Sequence, residues 1–201
     1  MRQSIIGGGL LALATLSPAA DAGADEKRAE QIVAERCSVC HGKGGESASA
    51  IYPRLAGPHA AYIARQLADF KSGKRASETM KTQAESLTPE DMAALGAYFA
   101  MRKAGARRAQ DGDLAAVGKY VFANGNRYSG VPACASCHGP QGHGTAQLPR
   151  LAGQHPRYVE DQLKQFNKRE RTNDNAVMHM VASKLTELET HAVAEYVATL
   201  D

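Results

Sequence analysis

The chain is predicted to be all-α and to consist of two tandem copies of one small helical domain. Three observations predict this: four motifs that return in the same order, apolar spacings of three and four in both copies, and no sustained apolar–polar alternation. Cys37-Ser38-Val39-Cys40-His41 returns as Cys134-Ala135-Ser136-Cys137-His138. Pro53-Arg54-Leu55-Ala56-Gly57 returns as Pro149-Arg150-Leu151-Ala152-Gly153. Tyr62, Gln66, Leu67 and Phe70 return as Tyr158, Gln162, Leu163 and Phe166, each shifted by 96. Leu87-Thr88 and Tyr98 return as Leu185-Thr186 and Tyr196, shifted by 98, so the second copy gains two residues between Phe166 and Thr186.

The elements follow in order. Arg2, the apolar run Ile5 to Leu16 and the small-x-small site Ala20-Asp21-Ala22 read as a signal peptide over 1–22, with the mature chain starting near Gly23. An uncut membrane anchor is the alternative, but the run is short for a span and ends at Pro18. Export places the protein in a periplasm, where unused thiols oxidise. Asp25 to Cys37 carries Ala29, Ile32, Val33 and Cys37 on one stripe, and Ala60 to Phe70 carries Ile63, Leu67 and Phe70. Thr88-Pro89 starts a helix with a capping hydroxyl and a proline in its first turn, and Met92, Leu95, Gly96 and Phe99 share its face. Residues 23–107 form the first domain, 108–113 a linker and 114–201 the second domain. Thr186 with Glu189 is a capping box, continued by Val193, Tyr196, Val197 and Leu200. Gly42 to Ile51 and Gly139 to Gln147 are glycine-rich loops.

Composition narrows the function. With 43% hydrophobic residues the chain is globular rather than disordered. Aromatics are only 5%, lean for two small cores, so another group is expected in the middle of each. A net charge of +3 does not argue for nucleic acid.

All four cysteines lie in two Cys-x-x-Cys-His motifs, the attachment signature of c-type haem. Two residues between the thiols, on a helical turn, let both sulfurs reach the two vinyl groups on one porphyrin edge. The next residue, His, then projects under the ring towards iron. Cys37, Cys40 and His41, and Cys134, Cys137 and His138, are therefore the expected cofactor residues for two covalently bound haem c groups. A zinc site expects about 15–20 residues between the pairs, whereas Cys40 and Cys134 lie 94 apart. A thioredoxin-like pair needs a βαβ setting, and disulfides need no histidine.

The sixth iron position decides the chemistry. Met80 lies eight residues before Thr88, and Met178 eight before Thr186, so His41/Met80 and His138/Met178 are the expected axial pairs. Two alternatives stay open: Met180 as the second-site ligand, and both methionines as gap-fillers. His59, His143, His155, His179 and His191 are read as surface histidines. The carbonyls of Pro53 and Pro149 are expected to orient His41 and His138. Arg54 and Arg150 are candidates for neutralising haem propionates, and Tyr62 and Tyr158 for packing on the rings.

The ordered motifs, together with Arg171-Thr172-Asn173-Asp174 before the second methionine, resemble the c4-type dihaem cytochromes. The resemblance covers the whole mature chain. It implies two class I cytochrome c folds related by a pseudo-two-fold, with the haems close across the interface. It implies a periplasmic shuttle of single electrons between respiratory-chain partners, towards a terminal oxidase, with no catalytic residue. The partners implied are redox proteins: a cytochrome bc1-type complex, a terminal oxidase or a dehydrogenase. A peripheral membrane association is compatible with this reading. The alternatives are a dihaem subunit of an enzyme complex, such as a flavocytochrome c sulfide dehydrogenase, and a dihaem peroxidase. Two departures stand out: the plainer Gly73-Lys74-Arg75-Ala76-Ser77 stretch in the first copy and the basic linker. Residues 23–112 carry a net +3 and residues 113–201 none, so the first domain is expected to meet an acidic partner.

Overall fold

The computed structural model describes residues 18–201, so the leader reading falls, through residue 17, outside the described residues. Among the described residues, five α-helices form each half. The first half has α1 (Pro18–Ile32), α2 (Ser38–His41), α3 (Ala60–Lys71), α4 (Glu78–Ala84) and α5 (Pro89–Ala100). The second has α6 (Gly112–Asn124), α7 (Ala135–His138), α8 (Pro156–Asn167), α9 (Val177–Ala182) and α10 (Glu187–Ala198). Among the described residues there is no strand, only one isolated bridge between Asn126 and Val131. No described helix is long and apolar enough to cross a membrane.

Each half is built by its apolar stripes. Ala29, Ile32 and Val33 meet Ile63, Phe70, Met92, Leu95 and Phe99 in the first core. Val121, Phe122, Val159, Val193 and Val197 make the second. In both halves the last helix is the hub: α5 packs on α1 and α3, and α10 on α6 and α8. Both hubs start on the expected capping box. Thr88 Oγ1 accepts from Asp91 N at 3.1 Å, and the Asp91 carboxylate accepts from Thr88 N at 3.1 Å. Thr186 and Glu189 repeat the exchange at 3.2 and 2.9 Å. Asp91 also takes Arg28 Nε of α1 at 3.0 Å, which ties the first helix to the last. Burial opposes ionisation of Asp91, but Arg28 and the Thr88 amide outweigh it and hold the carboxyl below its ordinary range.

The helix crossings need small residues. A methyl group on Gly118 of α6 would lie 1.8 Å from the Ala192 carbonyl oxygen of α10. Before the first motif the chain winds into a wider π-type turn, Val33–Cys37, and the next helix follows without a break. The second copy differs, with a loop from Gly125 to Val131 between α6 and its motif.

The halves meet along an extensive seam. Arg54 N donates to Gln154 Oε1 at 2.9 Å, and Gln154 Nε2 returns a bond to Arg54 O at 3.0 Å. The Arg54 guanidinium donates to the carbonyls of Gly153 and Gly105 and pairs with Glu46.

Candidate cofactor sites

Both motif histidines occupy the last position of a one-turn helix, α2 or α7, with a positive-φ glycine next (Gly42 at +73°, Gly139 at +82°). That glycine turns the chain away and leaves the imidazole facing inward. His41 is 7% exposed and His138 5%. Nδ1 of His41 lies 2.8 Å from Pro53 O, and Nδ1 of His138 lies 3.0 Å from Pro149 O. These are the expected orienting bonds. The carbonyl can only accept, so Nδ1 carries the proton and Nε2 keeps its lone pair. Burial lowers the basicity of both rings, more than the proline carbonyls restore it, so the neutral imidazole is favoured.

None of the four cysteines is paired in a disulfide. Burial pushes the unmodified Cys37 thiol up, and Cys134 up to about 11. Among the described residues no three His, Cys, Asp or Glu side chains come together to hold a metal ion, so the zinc alternative lacks its ligands.

The methionines differ in setting. Met80 on α4 is half-buried and packs against the first core; its amide is capped by Ser77 Oγ at 3.3 Å. Met178 lies half-buried in the first turn of α9, whereas Met180 is 57% exposed. Asp174 braces that turn, accepting from Ala176 N at 3.2 Å and His179 N at 3.0 Å. Ala176 itself sits at φ +66°, a left-handed N-cap.

Between the halves lies a cluster that sequence reasoning missed. Arg75 and Arg171 are 8% and 7% exposed, and they share two amide oxygens. Gln66 Oε1 accepts from Arg75 at 2.8 Å and from Arg171 at 3.1 Å; Gln162 Oε1 accepts from the same two at 2.8 and 2.6 Å. Each arginine also reaches the opposite half's tyrosine, Arg75 to Tyr158 OH at 2.9 Å and Arg171 to Tyr62 OH at 3.3 Å. Each stacks on its own half's phenylalanine, Arg75 on Phe70 and Arg171 on Phe166. The pseudo-two-fold runs through this group. Asp69 is the nearby carboxylate, reached through Asn173 at 2.7 Å and 3.9 Å from Lys74. Burial resists ionisation of Tyr158, yet Arg75 and Arg171 hold its phenol below the ordinary range. The cluster carries more positive than negative charge away from water, a costly state unless anions complete it. Arg75 and Arg171 thus join Arg54 as the buried guanidiniums of the seam. Arg75 and Arg171 are offset by the same 96 residues as the tyrosines and glutamines, so the repeat marks the pair without revealing that the two meet.

One histidine expectation is corrected as well. His155 is 4% exposed rather than superficial, with Nε2 2.9 Å from Ser47 O of the other half. Its repeat partner His59 is exposed. His155 is buried because the seam closes over it.

The cytochrome c pattern matches residues 26–103 and again 115–201. The chain belongs to the cytochrome c family. A cytochrome c4 of Pseudomonas aeruginosa is 38% identical over 181 residues, covering 88% of this chain and 90% of the relative. A protein of Thiomonas intermedia named thiosulfate dehydrogenase electron acceptor is 36% identical, covering 98% of this chain and 94% of its own length. The crystal structure of reduced recombinant cytochrome c4 from Pseudomonas stutzeri superimposes with a TM-score of 0.82 at 33% identity, over 88% of this chain and 98% of that one. This chain is thus a c4-type member of the family: two class I cytochrome c domains, two covalently bound haem c groups, and electron transfer as its function. The residues fit that cofactor. Two thiols precede each neutral, oriented imidazole, and the buried guanidinium pair suits its carboxylates.

Proposed function

We propose that Cys37 and Cys40 tether one haem and Cys134 and Cys137 the other. His41 and Met80 bind the first iron, His138 and Met178 the second. The chain relays single electrons in the periplasm from a cytochrome bc1-type complex or a dehydrogenase towards a terminal oxidase. The observation that carries this reading is the repeated bond from a buried histidine to a proline carbonyl, at 2.8 and 3.0 Å, which aims each Nε2. Bound there, each haem supplies a one-electron ferric–ferrous couple. The protein supplies rigidity: the proline carbonyls hold the rings, and Ser77 and Asp174 brace the helices that carry the methionines. Two protein ligands at each iron leave no place for a substrate, so no residue is assigned a catalytic role. Mass spectrometry of the exported protein should show two haem masses on the chain, lost one at a time in Cys40→Ala and Cys137→Ala. A bare polypeptide would end the reading.

Removing one buried cation should lower both potentials. Arg171→Gln takes a positive charge from beside both halves, which favours the oxidised state. With an effective dielectric of about 20 the effect is on the order of 1 kcal/mol per electron. Redox titration checks it, and unchanged potentials would show that the cluster does not act on the haems. The surplus charge of the first half should also steer an acidic partner. The bimolecular rate should fall several-fold between about 10 and 150 mM salt, as screening shortens from about 30 to 8 Å. A flat response would remove that idea.

A second reading, a dihaem subunit of an enzyme complex, draws support from the relative named as an electron acceptor of thiosulfate dehydrogenase. Stable co-purification with a dehydrogenase would decide for it.

A further inference from the structure

We propose that the seam between the halves holds a binding site for a small tetrahedral oxyanion, clasped by Arg107, Arg108 and Arg157. A cleft of about 270 Å³ opens there, lined by these three guanidiniums, the Gln110 side and the buried His155. A water molecule takes about 30 Å³, so the cleft holds a small oxyanion and part of its hydration shell. No carboxylate lines it. Arg107 spends Nη2 on Ser47 O at 3.1 Å, and Arg157 spends Nε on Asp161 at 3.1 and 3.2 Å. Their other donors stay open, and Arg108 makes no hydrogen bond or ion pair among the described residues. Asp161 pairs with Arg157, and Glu195 Oε2 takes Gln110 N at 2.8 Å beside the cleft, so the lining keeps a positive surplus suited to an oxyanion. The first residues of α8 line the same cleft, and that helix has no side-chain cap.

The three arginines come from different segments. Arg107 and Arg108 lie in the connection between the halves, and Arg157 in the second. Arg107 N is fixed by Ala198 O at 2.7 Å, so the connection is already laid against α10. An oxyanion bound here ties the connection to the second half and stiffens the seam. This inference is independent of the iron-ligand assignment.

The test is NMR titration of the haem-loaded full chain with sulfate, phosphate and thiosulfate, against chloride at matched ionic strength. The expected result is saturable shifts at the amides of Arg107, Arg108 and Arg157. Arg108→Gln, at an exposed position, should weaken binding about tenfold, the loss of one charge-assisted hydrogen bond. The tightest of the three anions identifies the natural occupant. Equal shifts with chloride, or saturable sulfate binding whose affinity survives both Arg108→Gln and Arg107→Gln (an adventitious ion only), would overturn the proposal.

Discussion

Met178→Ala is expected to lower the potential of the second haem by on the order of 0.2 V, within the roughly 0.8 V that axial ligands span. A thioether is a soft, neutral donor that stabilises ferrous iron, so its loss favours the oxidised form. The first haem should keep its potential, because Met80 sits in the other half on α4. The change should stay local. Asp174 braces the start of α9 through Ala176 N and His179 N, and His179 Nδ1 is anchored 3.0 Å from Phe166 O. The weak long-wavelength absorption of oxidised methionine-ligated haem should lose half its intensity. Met180→Ala is the control, since Met180 is largely exposed and should change nothing. If Met180→Ala moves the potential and Met178→Ala does not, the second ligand has been misassigned.

Gly118→Ala should cost the second half about 3 kcal/mol, at the upper end of ordinary overpacking, and lower its melting temperature by roughly 10–20 °C. The new methyl would meet Ala192 O at 1.8 Å, Ala192 C at 2.4 Å and Tyr196 Cβ at 2.9 Å. Two of those atoms are backbone of α10, so no rotamer change can relieve the overlap. The helices must separate, and Ala192, Ala194 and Val197, each essentially inaccessible to solvent, would lose their contacts. Gly112→Ala on the same helix meets nothing within 4 Å and should leave stability within a few tenths of a kcal/mol. Calorimetry on both variants separates packing from helix propensity. Equal melting points would show that the α6–α10 crossing has room for a methyl group.

The hub helices α5 and α10 and their starts were legible because their causes are local. Thr88 with Asp91, and Thr186 with Glu189, cap themselves, and the apolar stripes that follow need only a partner face. The proline–histidine bonds were legible because a repeat preserved both members at nearly the same spacing. α4 and α9 were not. They span only seven and six residues and owe their starts to Ser77 and to the Asp174 turn, not to amphipathic period. The roles of Arg75, Arg171 and His155 were hidden for another reason. Each is defined by the face that the other copy presents, and a periodic reading of one copy carries no information about how two copies dock. Arg54 shows the converse: repeated in sequence, it is consumed by Glu46 and by carbonyls across the seam.

Ser47 O receives both His155 and Arg107. The position matching His155 in the first copy, His59, faces solvent instead. The duplicated halves are therefore no longer interchangeable. A gene rebuilt with residues 114–201 ahead of 23–107 would keep both attachment motifs and both hydrophobic cores, yet would cut the chain between Arg107, which docks on Ser47, and α6. Ancestral symmetry survives around Arg75 and Arg171, and at Ser47 it has been traded for a fixed order of the two modules.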